Sequence, residues 1–253
     1  MTPSSDEMIR RLKDPGQSVR VRAALDLGKL KDPALVEVLV EALCTEPDFF
    51  VRETLVWALV RLGEAAAPPL IGRLGDPSAL ARKSAAHALS KIGDPRAVDP
   101  LIGLLKDSDL EVVSRAAFAL GQIGDAKAAP ALVGVLGHDH RDLEAIMVAA
   151  LERLSASAVQ PLIGALRHEN WRAREQAADA LRVIGDASAA PALAALLHDP
   201  CWQVRFAAVN ALGCLGGAGA EDLRTKALDA DPRVRALQLR LGGSSRPSKR
   251  SEG

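Results

Sequence analysis

Side chains that could do chemistry are scattered through this sequence, and the densest group lies near its middle. His138, Asp139 and His140 are consecutive, and Asp142 follows them. Nitrogen and oxygen ligands of this kind can hold a metal ion. However, a unit of about 31 residues repeats along the sequence, and His138 and His168 occupy the same position in successive units. They are therefore too far apart for both to form bonds of about 2 Å to one ion. We expect a solvated loop at this point, without a metal or another cofactor.

Composition and charge narrow the possible functions further. The 253 residues have a formal net charge of zero, so bulk electrostatics do not favour nucleic acid or an anionic membrane. Cys44, Cys201 and Cys214 are odd in number and lack CxxC spacing, which indicates a reducing compartment. We find no stretch that is long and apolar enough to span a bilayer, and no secretion signal. We therefore expect a cytoplasmic protein that does not bind a membrane.

The aromatic residues follow a pattern. A leucine recurs at intervals of about 31 residues. We call these residues the anchor leucines: Leu27, Leu59, Leu89, Leu120, Leu151, Leu181 and Leu212. Every Phe and Trp lies ten, nine, six or two residues before an anchor leucine. Other repeats hold charged residues at these four positions, which should therefore be exposed rather than part of the core.

Each anchor leucine belongs to a repeated pair of helices. Residues 110–123 place apolar side chains on one helical face, as an amphipathic helix does: Val112, Ala116, Leu120 and Ile123. Gly124 can close this helix in the left-handed conformation, and Asp125 can cap a second helix over about residues 128–136. The second helices have recurrent leucines of their own: Leu39, Leu70, Leu101, Leu132, Leu162 and Leu193. The fifth repeat has Leu154-Ser155 in place of this turn and is expected to be irregular.

Helix pairs of this size cannot bury their apolar faces alone, so neighbouring pairs must stack. We therefore predict an all-α fold, a right-handed α-α superhelix or solenoid of about seven helix pairs. A helix over about residues 7–13, capped by Ser5 or Asp6, should close one end, and a truncated helix from Asp231 to about Leu241 the other. Residues 1–241 are expected to form one solenoid domain, and residues 242–253 a disordered polar tail.

These repeats resemble a known family. Val19-Arg20, Val51-Arg52 and Val204-Arg205 open alanine-rich helices, and the sequences ALSKIGD (residues 88–94) and ALGQIGD (residues 119–125) close two of the first helices. The motifs resemble HEAT-like repeats of the phycobilisome-lyase type over about residues 14–241. The resemblance implies an α solenoid whose first helices line a concave groove. It says less about function, because such repeats serve in bilin lyases, adaptors, enzyme regulators and designed binding proteins.

One enzyme with the same type of repeat differs from this chain in its candidate metal ligands. Deoxyhypusine hydroxylase resembles this chain in repeat type but carries several His-Glu pairs on its helices for a di-iron centre. Here the sole pair is His168-Glu169, in an expected loop, so this activity is not expected. The chain also has no recognisable nucleophile beside a base and no phosphate-binding loop. The sequence therefore contains no catalytic constellation that we can identify, and it favours a binding protein over an enzyme.

The first helices also carry a recurrent arginine: Arg20, Arg52, Arg82, Arg174, Arg205 and Arg235. Arginines in a row can contact phosphates. We favour structural ion pairs between neighbouring repeats, because the turn aspartates repeat in the same register as the arginines. The expected partners are Asp32, Asp94, Asp125 and Asp186.

Our hypothesis is a non-catalytic scaffold or adaptor that captures a protein or peptide in its concave groove through aromatic and basic side chains. Burying one aromatic side chain on binding contributes about 1.5 to 3 kcal/mol. The predicted groove residues are Phe49, Phe50, Glu53, Trp57, Arg61, Lys83, His87, Glu111, Arg115, Phe118, Arg141, Trp171, Arg172, Trp202, Phe206 and Asn210. The mildly basic character suits an acidic partner, and we expect the free protein to be a monomer.

Three alternatives remain at this stage. A bilin lyase or isomerase subunit would bind a linear tetrapyrrole in the same groove and act with a partner chain. Single-stranded nucleic acid can also stack its bases on exposed aromatics, although the neutral net charge makes it a weaker candidate. Finally, individual aromatic side chains can fill gaps between adjacent repeats instead of facing a partner.

Overall fold

The fold was analysed in a computed structural model that describes residues 4–216, 223 and 228–242. The described residues form α-helices joined by short 3-10 turns, and no strand occurs among them. In chain order the helices are α1 (Ser5–Arg11), α2 (Gln17–Leu30), α3 (Val36–Thr45), α4 (Phe49–Leu62), α5 (Ala67–Arg73), α6 (Ala79–Ile92), α7 (Val98–Gly103), α8 (Leu110–Ile123), α9 (Ala128–Val133), α10 (Arg141–Leu154), α11 (Ala156–Ala165), α12 (Trp171–Ile184), α13 (Ala190–Ala195), α14 (Trp202–Leu215) and α15 (Pro232–Gly242).

The first helices of the seven repeats, α2, α4, α6, α8, α10, α12 and α14, all have the same length of 14 residues. Each begins ten residues before its anchor leucine, so the first of the four aromatic-bearing positions is the first residue of the helix. Side-chain caps explain several of these starts, because Asp48, Ser78, Asp109 and Asn170 each accept a backbone N–H of the first turn. The predicted helix over residues 110–123 is confirmed.

The turn between the two helices of a repeat is also as predicted. Gly93, Gly124 and Gly185 adopt the left-handed conformation, with φ of 75° to 76°, which glycine reaches without a steric penalty. The aspartate that follows accepts a backbone N–H at the start of the second helix, for example that of Lys127 on Asp125 at 2.8 Å. In the irregular fifth repeat, α10 passes into α11 through Ser155 alone, whose φ is 48°.

The helices fall into two compact units, Met1–Ala128 and Ala129–Gly253. In the first unit, α1, α2, α4, α6 and α8 pack in chain order, and α3, α5 and α7 pack on one side of them. In the second unit, α10, α12, α14 and α15 pack in chain order, with α11 and α13 against them. Both units are stacks of helix pairs, which confirms the predicted all-α solenoid class. The extent of a single domain over residues 1–241 stays a prediction.

The core consists of leucine, alanine and valine with a few other small or flexible side chains. All the anchor leucines and all the recurrent leucines of the second helices have no measurable exposure. Each therefore contributes the burial of a whole leucine side chain, about 1.5 to 3 kcal/mol. No Phe or Trp belongs to this buried set.

The two ends are capped as expected. Helix α1 begins at Ser5, two residues earlier than predicted, because Ser4 rather than Ser5 or Asp6 is the N-cap and accepts the N–H of Glu7. At the other end α15 covers the truncated helix predicted from Asp231 to about Leu241. Gly242, the first residue of the predicted disordered tail (residues 242–253), is instead the last residue of α15, and residues 243–253 lie outside the described residues.

One expectation about membranes needs correction. The segment Phe49–Arg73 has a mean hydropathy of 1.2 over its most apolar window, and by length and composition alone it could cross a membrane. In the structure it forms two helices, α4 and α5, separated by a 3-10 turn at Gly63–Ala66. Neither helix reaches the roughly 20 residues that span a bilayer. Val51, Leu55 and Leu59 of α4 are buried, so the segment is a helix pair of the stack.

Four of the recurrent arginines connect two successive loops through an ion pair and hydrogen bonds, and we call each such arrangement a clamp. The Nε and Nη2 atoms of Arg82 donate to the two carboxylate oxygens of Asp107 at 2.7 and 2.8 Å. Its Nη1 donates to the carbonyl oxygens of Asp76 and Pro77 at 2.9 and 3.0 Å. The loop before α6 and the loop before α8 are thereby tied to one guanidinium. The same arrangement pairs Arg20 with Glu46, Arg174 with Asp199 and Arg205 with Asp229.

The expected structural ion pairs are therefore confirmed, but their predicted partners are wrong. The carboxylate of each clamp comes from the loop before the next first helix. The turn aspartates cap the second helices instead, with backbone N–H donors at 2.8 to 2.9 Å: Asp32, Asp94, Asp125 and Asp186. Arg52 and Arg235 are exceptions, because in the part of the chain that the structure describes they donate only to backbone carbonyls, those of Glu46 and Pro47 and those of Asp229 and Ala230.

The first helices α2 and α4 are in close contact at Gly28. A Cβ atom added there would lie 2.8 Å from Cα and Cβ of Ala58 and 2.9 Å from Cζ3 of Trp57. We expect Gly28→Ala to lower the free energy of unfolding by about 1 kcal/mol despite the better helix propensity of alanine, because α2 and α4 must separate. Gly72→Ala in α5 is the matched control, since nothing lies within 4 Å of its added Cβ. Urea denaturation should show the loss for Gly28→Ala only, and equal effects would contradict this account.

Candidate partner-binding surface

The predicted groove residues all remain accessible. Each of them is exposed or half-buried, and none is in the core. Phe50 and Phe49 are the most exposed aromatics, at 68% and 52%, and Trp57 follows at 39%. We call the surface formed by these positions on the first helices the first-helix face.

Phe49 and Phe50 form the most accessible apolar pair of the first unit. They open α4, and their ring centroids are 5.6 Å apart in an edge-to-face arrangement. This is a favourable geometry for aromatic pairs. The pair therefore presents an ordered apolar surface to solvent without a partner within the described chain that covers it.

Trp57 has a partly structural role. Its ring lies against Gly28 of the neighbouring helix α2. Arg61 stacks over the ring, with its Cζ 4.9 Å from the ring centroid, and its Nε donates to the carbonyl of Gly28 at 3.1 Å. Trp57 thus fills a gap between neighbouring repeats, as one of the sequence alternatives proposed, while more than a third of the residue stays exposed.

A cavity of about 240 Å³ lies on the first-helix face of the first unit. Helices α4, α6 and α8 each contribute a predicted residue pair to it: Phe49 and Glu53, Lys83 and His87, Glu111 and Arg115. Leu43, Arg52, Val56 and Ser84 complete its lining. We call it the His87 cavity. These six residues were predicted from the sequence as groove residues on three different helices, and the structure brings them together.

Charges around the His87 cavity are mostly compensated. Lys83 forms an ion pair with Glu111. Nε2 of His87 is 3.0 Å from Oε1 of Glu53, yet neither ring nitrogen makes a hydrogen bond and both are inaccessible to solvent. Burial lowers the pKa of His87, and the positive charges of Arg115 and Lys91 lower it further, against the opposing effect of Glu53. His87 is therefore neutral near pH 7.

Phe118 lies on the same face, on α8 and three residues after Arg115 of the His87 cavity. Nζ of Lys91 is 5.9 Å from the centroid of its ring, within the range of a cation–π contact. Phe118 is half-buried, so it has less free surface than Phe49 or Phe50.

The second unit carries two aromatic side chains that are covered by arginines. Arg172 lies over the ring of Trp171 with its Cζ 4.8 Å from the centroid, and it also pairs with Asp139 at 2.8 Å. Arg233 of α15 stacks on Trp202 at 3.3 Å. The remaining predicted residues of this unit are exposed or half-buried: Arg141, Phe206 and Asn210.

The same unit contains an acidic group that the sequence analysis missed. Glu144 of α10 lies near Glu175 and Asp179 of α12. Burial raises the pKa of Glu175 to about 7, and the negative charges of Asp179 and Glu144 contribute. Burial also raises the pKa of Glu144 and of Asp179, and Arg182 offsets part of the effect on Asp179. One sequence signal was present, because Glu144 occupies the position that holds the clamp arginine in other repeats.

A larger cavity, of about 880 Å³, lies elsewhere on the first unit and was also not predicted. It is lined mainly by α1 and by the outer side of α3, including Ile9, Leu12 and Val38. Four of its charged groups already have structural partners, since Arg20 pairs with Glu46 and Arg73 with Glu41. We therefore regard the first-helix face as the better candidate surface.

The histidine-rich segment is a loop, as expected. His138, Asp139 and His140 are exposed, and His140 caps α10 by accepting the N–H of Leu143 on Nδ1 at 3.4 Å. His168 lies in the loop before α12 and accepts the N–H of Asn170 on Nδ1 at 3.0 Å. Within residues 4–216, 223 and 228–242, no group of three His, Cys, Asp or Glu side chains is arranged to hold a metal ion.

Comparison with protein families gives matches along most of the chain. The profile of the family described as HEAT repeats matches four overlapping segments, residues 5–90, 67–152, 136–213 and 159–240. No curated protein matches this chain significantly.

Solved structures with similar folds include three natural proteins. The Escherichia coli protein YibA shares 19% identity over 96% of this chain and 93% of its own, with a TM-score of 0.51. The complex of CpcE and CpcF of phycocyanin lyase, from a Nostoc species, shares 26% identity over 95% and 87%, with a TM-score of 0.37. Human deoxyhypusine hydroxylase in complex with glycerol shares 22% identity over 94% and 96%, with a TM-score of 0.41. The similarity to YibA supports the fold alone, and the two lower scores carry no argument about activity.

Proposed function

Because the chain belongs to the HEAT repeat family, we propose that it is a non-catalytic scaffold or adaptor that captures a protein or peptide on its first-helix face. The observation that carries this proposal is the placement of the aromatic residues. All seven Phe and Trp side chains lie on the first helices, and none of them is in the core. A fold that needed them only for stability would bury them, because a fully buried aromatic contributes about 1.5 to 3 kcal/mol.

Phe49 and Phe50 are the best anchors for such a partner. They are more exposed than the other aromatics, and neither is covered by an arginine, unlike Trp57, Trp171 and Trp202. Binding hot spots concentrate on aromatic side chains that become desolvated at the centre of an interface. The neighbouring His87 cavity adds polar groups from three helices, which suits recognition of one particular partner.

The test uses a double variant, Phe49→Ser with Phe50→Ser. A partner captured from native lysate by the wild-type protein is first identified by mass spectrometry, and its Kd is then measured by calorimetry. We expect the double variant to bind at least about tenfold more weakly, because the apolar anchor is lost. Its melting temperature should be almost unchanged, because both rings already face solvent.

Leu239→Ser is the matched control for this experiment. Leu239 is an exposed apolar residue, at 58%, on α15 and outside the four aromatic-bearing positions. It should leave partner affinity unchanged. Unchanged affinity in the phenylalanine variant would contradict the proposal, as would equal losses in both variants. Trp57 is unsuitable for this purpose, because its contact with Gly28 makes a loss of stability expected.

The alternative of a bilin lyase-type subunit has less support. Sites for drug-sized ligands enclose about 300 to 1,000 Å³. The His87 cavity, at about 240 Å³, is below that range. A change in the visible absorbance of a linear tetrapyrrole on mixing with the protein and its captured partner would nevertheless favour this alternative over a scaffold.

We also propose a cytoplasmic location, supported by the state of the cysteines. Cys44, Cys201 and Cys214 are all free thiols, and Cys214 is exposed. Burial raises the pKa of Cys44 to about 11, so that thiol is unreactive. An exposed free thiol such as that of Cys214 is most compatible with a reducing environment.

A further inference from the structure

The His87 cavity contains polar groups without partners. Both nitrogens of the His87 ring are inaccessible to solvent and make no hydrogen bond, although Glu53 is close by. Buried polar atoms normally have a hydrogen-bond partner, and leaving one unsatisfied costs about 1 to 3 kcal/mol. If the side chain rotates so that one ring nitrogen reaches the cavity, a ligand atom that accepts a hydrogen bond from it would remove this cost.

The cavity also has an uncompensated cation. Arg115 is exposed and forms no hydrogen bond and no ion pair with any residue that the structure describes. Lys83 is paired with Glu111, whereas the guanidinium of Arg52 donates to the carbonyls of Glu46 and Pro47. With His87 neutral, the charged lining comprises three cations and two carboxylates, a net charge of plus one.

We propose that the His87 cavity binds one carboxylate side chain of an acidic segment in the protein partner, with Arg115 as its counter-ion and a ring N–H of His87 as a donor. The proposal rests on the scaffold function above and names the chemistry of its ligand. A carboxylate accepts hydrogen bonds on two oxygens and fits the fork of an arginine. Phe49, Val56 and Leu43 line the apolar part of the cavity, where the aliphatic stem of an aspartate or glutamate would pack.

The charge of the cavity favours a carboxylate over a phosphate. A single negative charge neutralises the net charge of plus one. A doubly charged phosphate would be repelled by Glu53 and Glu111, which line the same cavity. A polyanion such as nucleic acid is also disfavoured, because the chain as a whole has no net positive charge to attract it.

Binding should be linked to protonation of His87. The charged groups that line the cavity with it or act on its pKa are Arg52 and Glu53 from α4, Lys83 and Lys91 from α6, and Glu111 and Arg115 from α8. In the free protein, the pKa of His87 is lowered by burial and by the positive charges of Arg115 and Lys91. An added carboxylate neutralises Arg115 and supplies a negative charge, both of which raise the pKa of His87. Affinity for the carboxylate should therefore increase as the pH falls from about 7 towards 5.5, over the range in which histidine titrates.

The test measures the ring of His87 by NMR in the intact protein, with the signal assigned by its loss in His87→Gln. The probe is N-acetylglutamate N-methylamide, and its matched control is N-acetylglutamine N-methylamide. We expect the glutamate probe to produce a saturable shift and to raise the pKa of His87 by about 0.5 unit or more. The glutamine probe should produce neither effect. Arg115→Gln should weaken the binding about tenfold, whereas Arg167→Gln, at an exposed arginine in the loop before α12 and outside the first-helix face, should leave it unchanged.

Three results would overturn the proposal. The first is the absence of a saturable shift up to about 50 mM probe, where even a Kd near 10 mM would be visible. The second is an equal response to the glutamine probe, and the third is tighter binding of inorganic phosphate than of the glutamate probe.

The captured partner separates this proposal from the scaffold function. If Arg115→Gln leaves partner affinity unchanged while Phe49→Ser with Phe50→Ser abolishes it, the carboxylate assignment fails and the scaffold function stands. If neither variant changes partner affinity, the first-helix face of this unit is not the binding surface and both proposals fail.

Discussion

Arg82→Ala is expected to lower the free energy of unfolding by about 3 kcal/mol, because it removes the cation from a largely buried pair. Only 15% of the Arg82 side chain and 8% of the Asp107 side chain are exposed. The substitution deletes two hydrogen bonds to the carboxylate and two to backbone carbonyls. It also leaves Asp107 without a counter-ion, and an unpaired buried charge costs more than the lost contacts themselves.

Arg52→Ala is the matched control for this prediction. Arg52 occupies the equivalent position on α4 and donates to the same two kinds of carbonyl, but has no carboxylate partner in the described part of the chain. Its removal should cost only about 1 kcal/mol, the usual net value of such hydrogen bonds. Urea denaturation at neutral pH measures both variants. Equal losses would show that the carbonyl contacts, rather than the ion pair, provide the stability.

The clamp also predicts acid sensitivity. The hydrogen bonds from Arg82 lower the pKa of Asp107, and those from Arg205 lower the pKa of Asp229. A carboxyl whose pKa is lower in the folded state stabilises the protein above its unfolded pKa, near 4, and this contribution is lost as the pH falls further. The difference in stability between Arg82→Ala and the wild type should therefore shrink at low pH.

The fold could be predicted from the sequence because its determinants are local and repeated. Gly124 and Asp125 specify a helix end and a cap within a few residues, and the structure contains both. Leu120 and its equivalents in other repeats identify the buried face, because only one side of each helix can be apolar at that spacing. Internal repetition supplies several independent observations of the same unit, and this is why a single sequence was sufficient.

The partners of the clamp arginines could not be predicted in the same way. Two sets of acidic residues repeat in register with the arginines, represented by Asp94 in the turn and Asp107 in the following loop. Periodicity alone gives both sets the same spacing. The choice depends on which carboxylate the three-dimensional packing brings to the guanidinium of Arg82, and the structure selects Asp107.

Some features of the candidate site could be predicted from local sequence, and others depend on contacts between distant residues. The accessibility of Phe49 and Phe50 follows from their equivalents in other repeats, some of which are charged. The His87 cavity could not be predicted without knowing how three helices pack, because His87 and Arg115 are on different helices. Predicting the contact of Trp57 with Gly28 would have required the distance between neighbouring helices, and no single sequence position specifies that distance.

The second large effect that we expect concerns Glu175 and has the opposite sign. Glu175→Gln should raise the free energy of unfolding at about pH 8 by about 2 kcal/mol. Burial and the neighbouring Asp179 and Glu144 raise the pKa of Glu175 to about 7. A shift of that size corresponds to roughly 3 kcal/mol at 1.36 kcal/mol per unit, and we reduce the figure because the carboxyl is only half-buried and solvent screens its charge.

The dependence on pH gives this prediction its sign. Since the folded pKa of Glu175 lies above the unfolded value, its contribution to stability is fully present below about pH 4.5 and is lost as the pH rises towards 7. Glu175→Gln should therefore match the wild type near pH 4.5 and exceed it at about pH 8. Glu152→Gln on α10 removes an exposed carboxylate and is the control. It should leave the free energy of unfolding unchanged at both pH values. Thermal denaturation at the two pH values distinguishes the cases, and a Glu175→Gln variant that is no more stable than the wild type at about pH 8 would mean that solvent already screens the three carboxylates from one another.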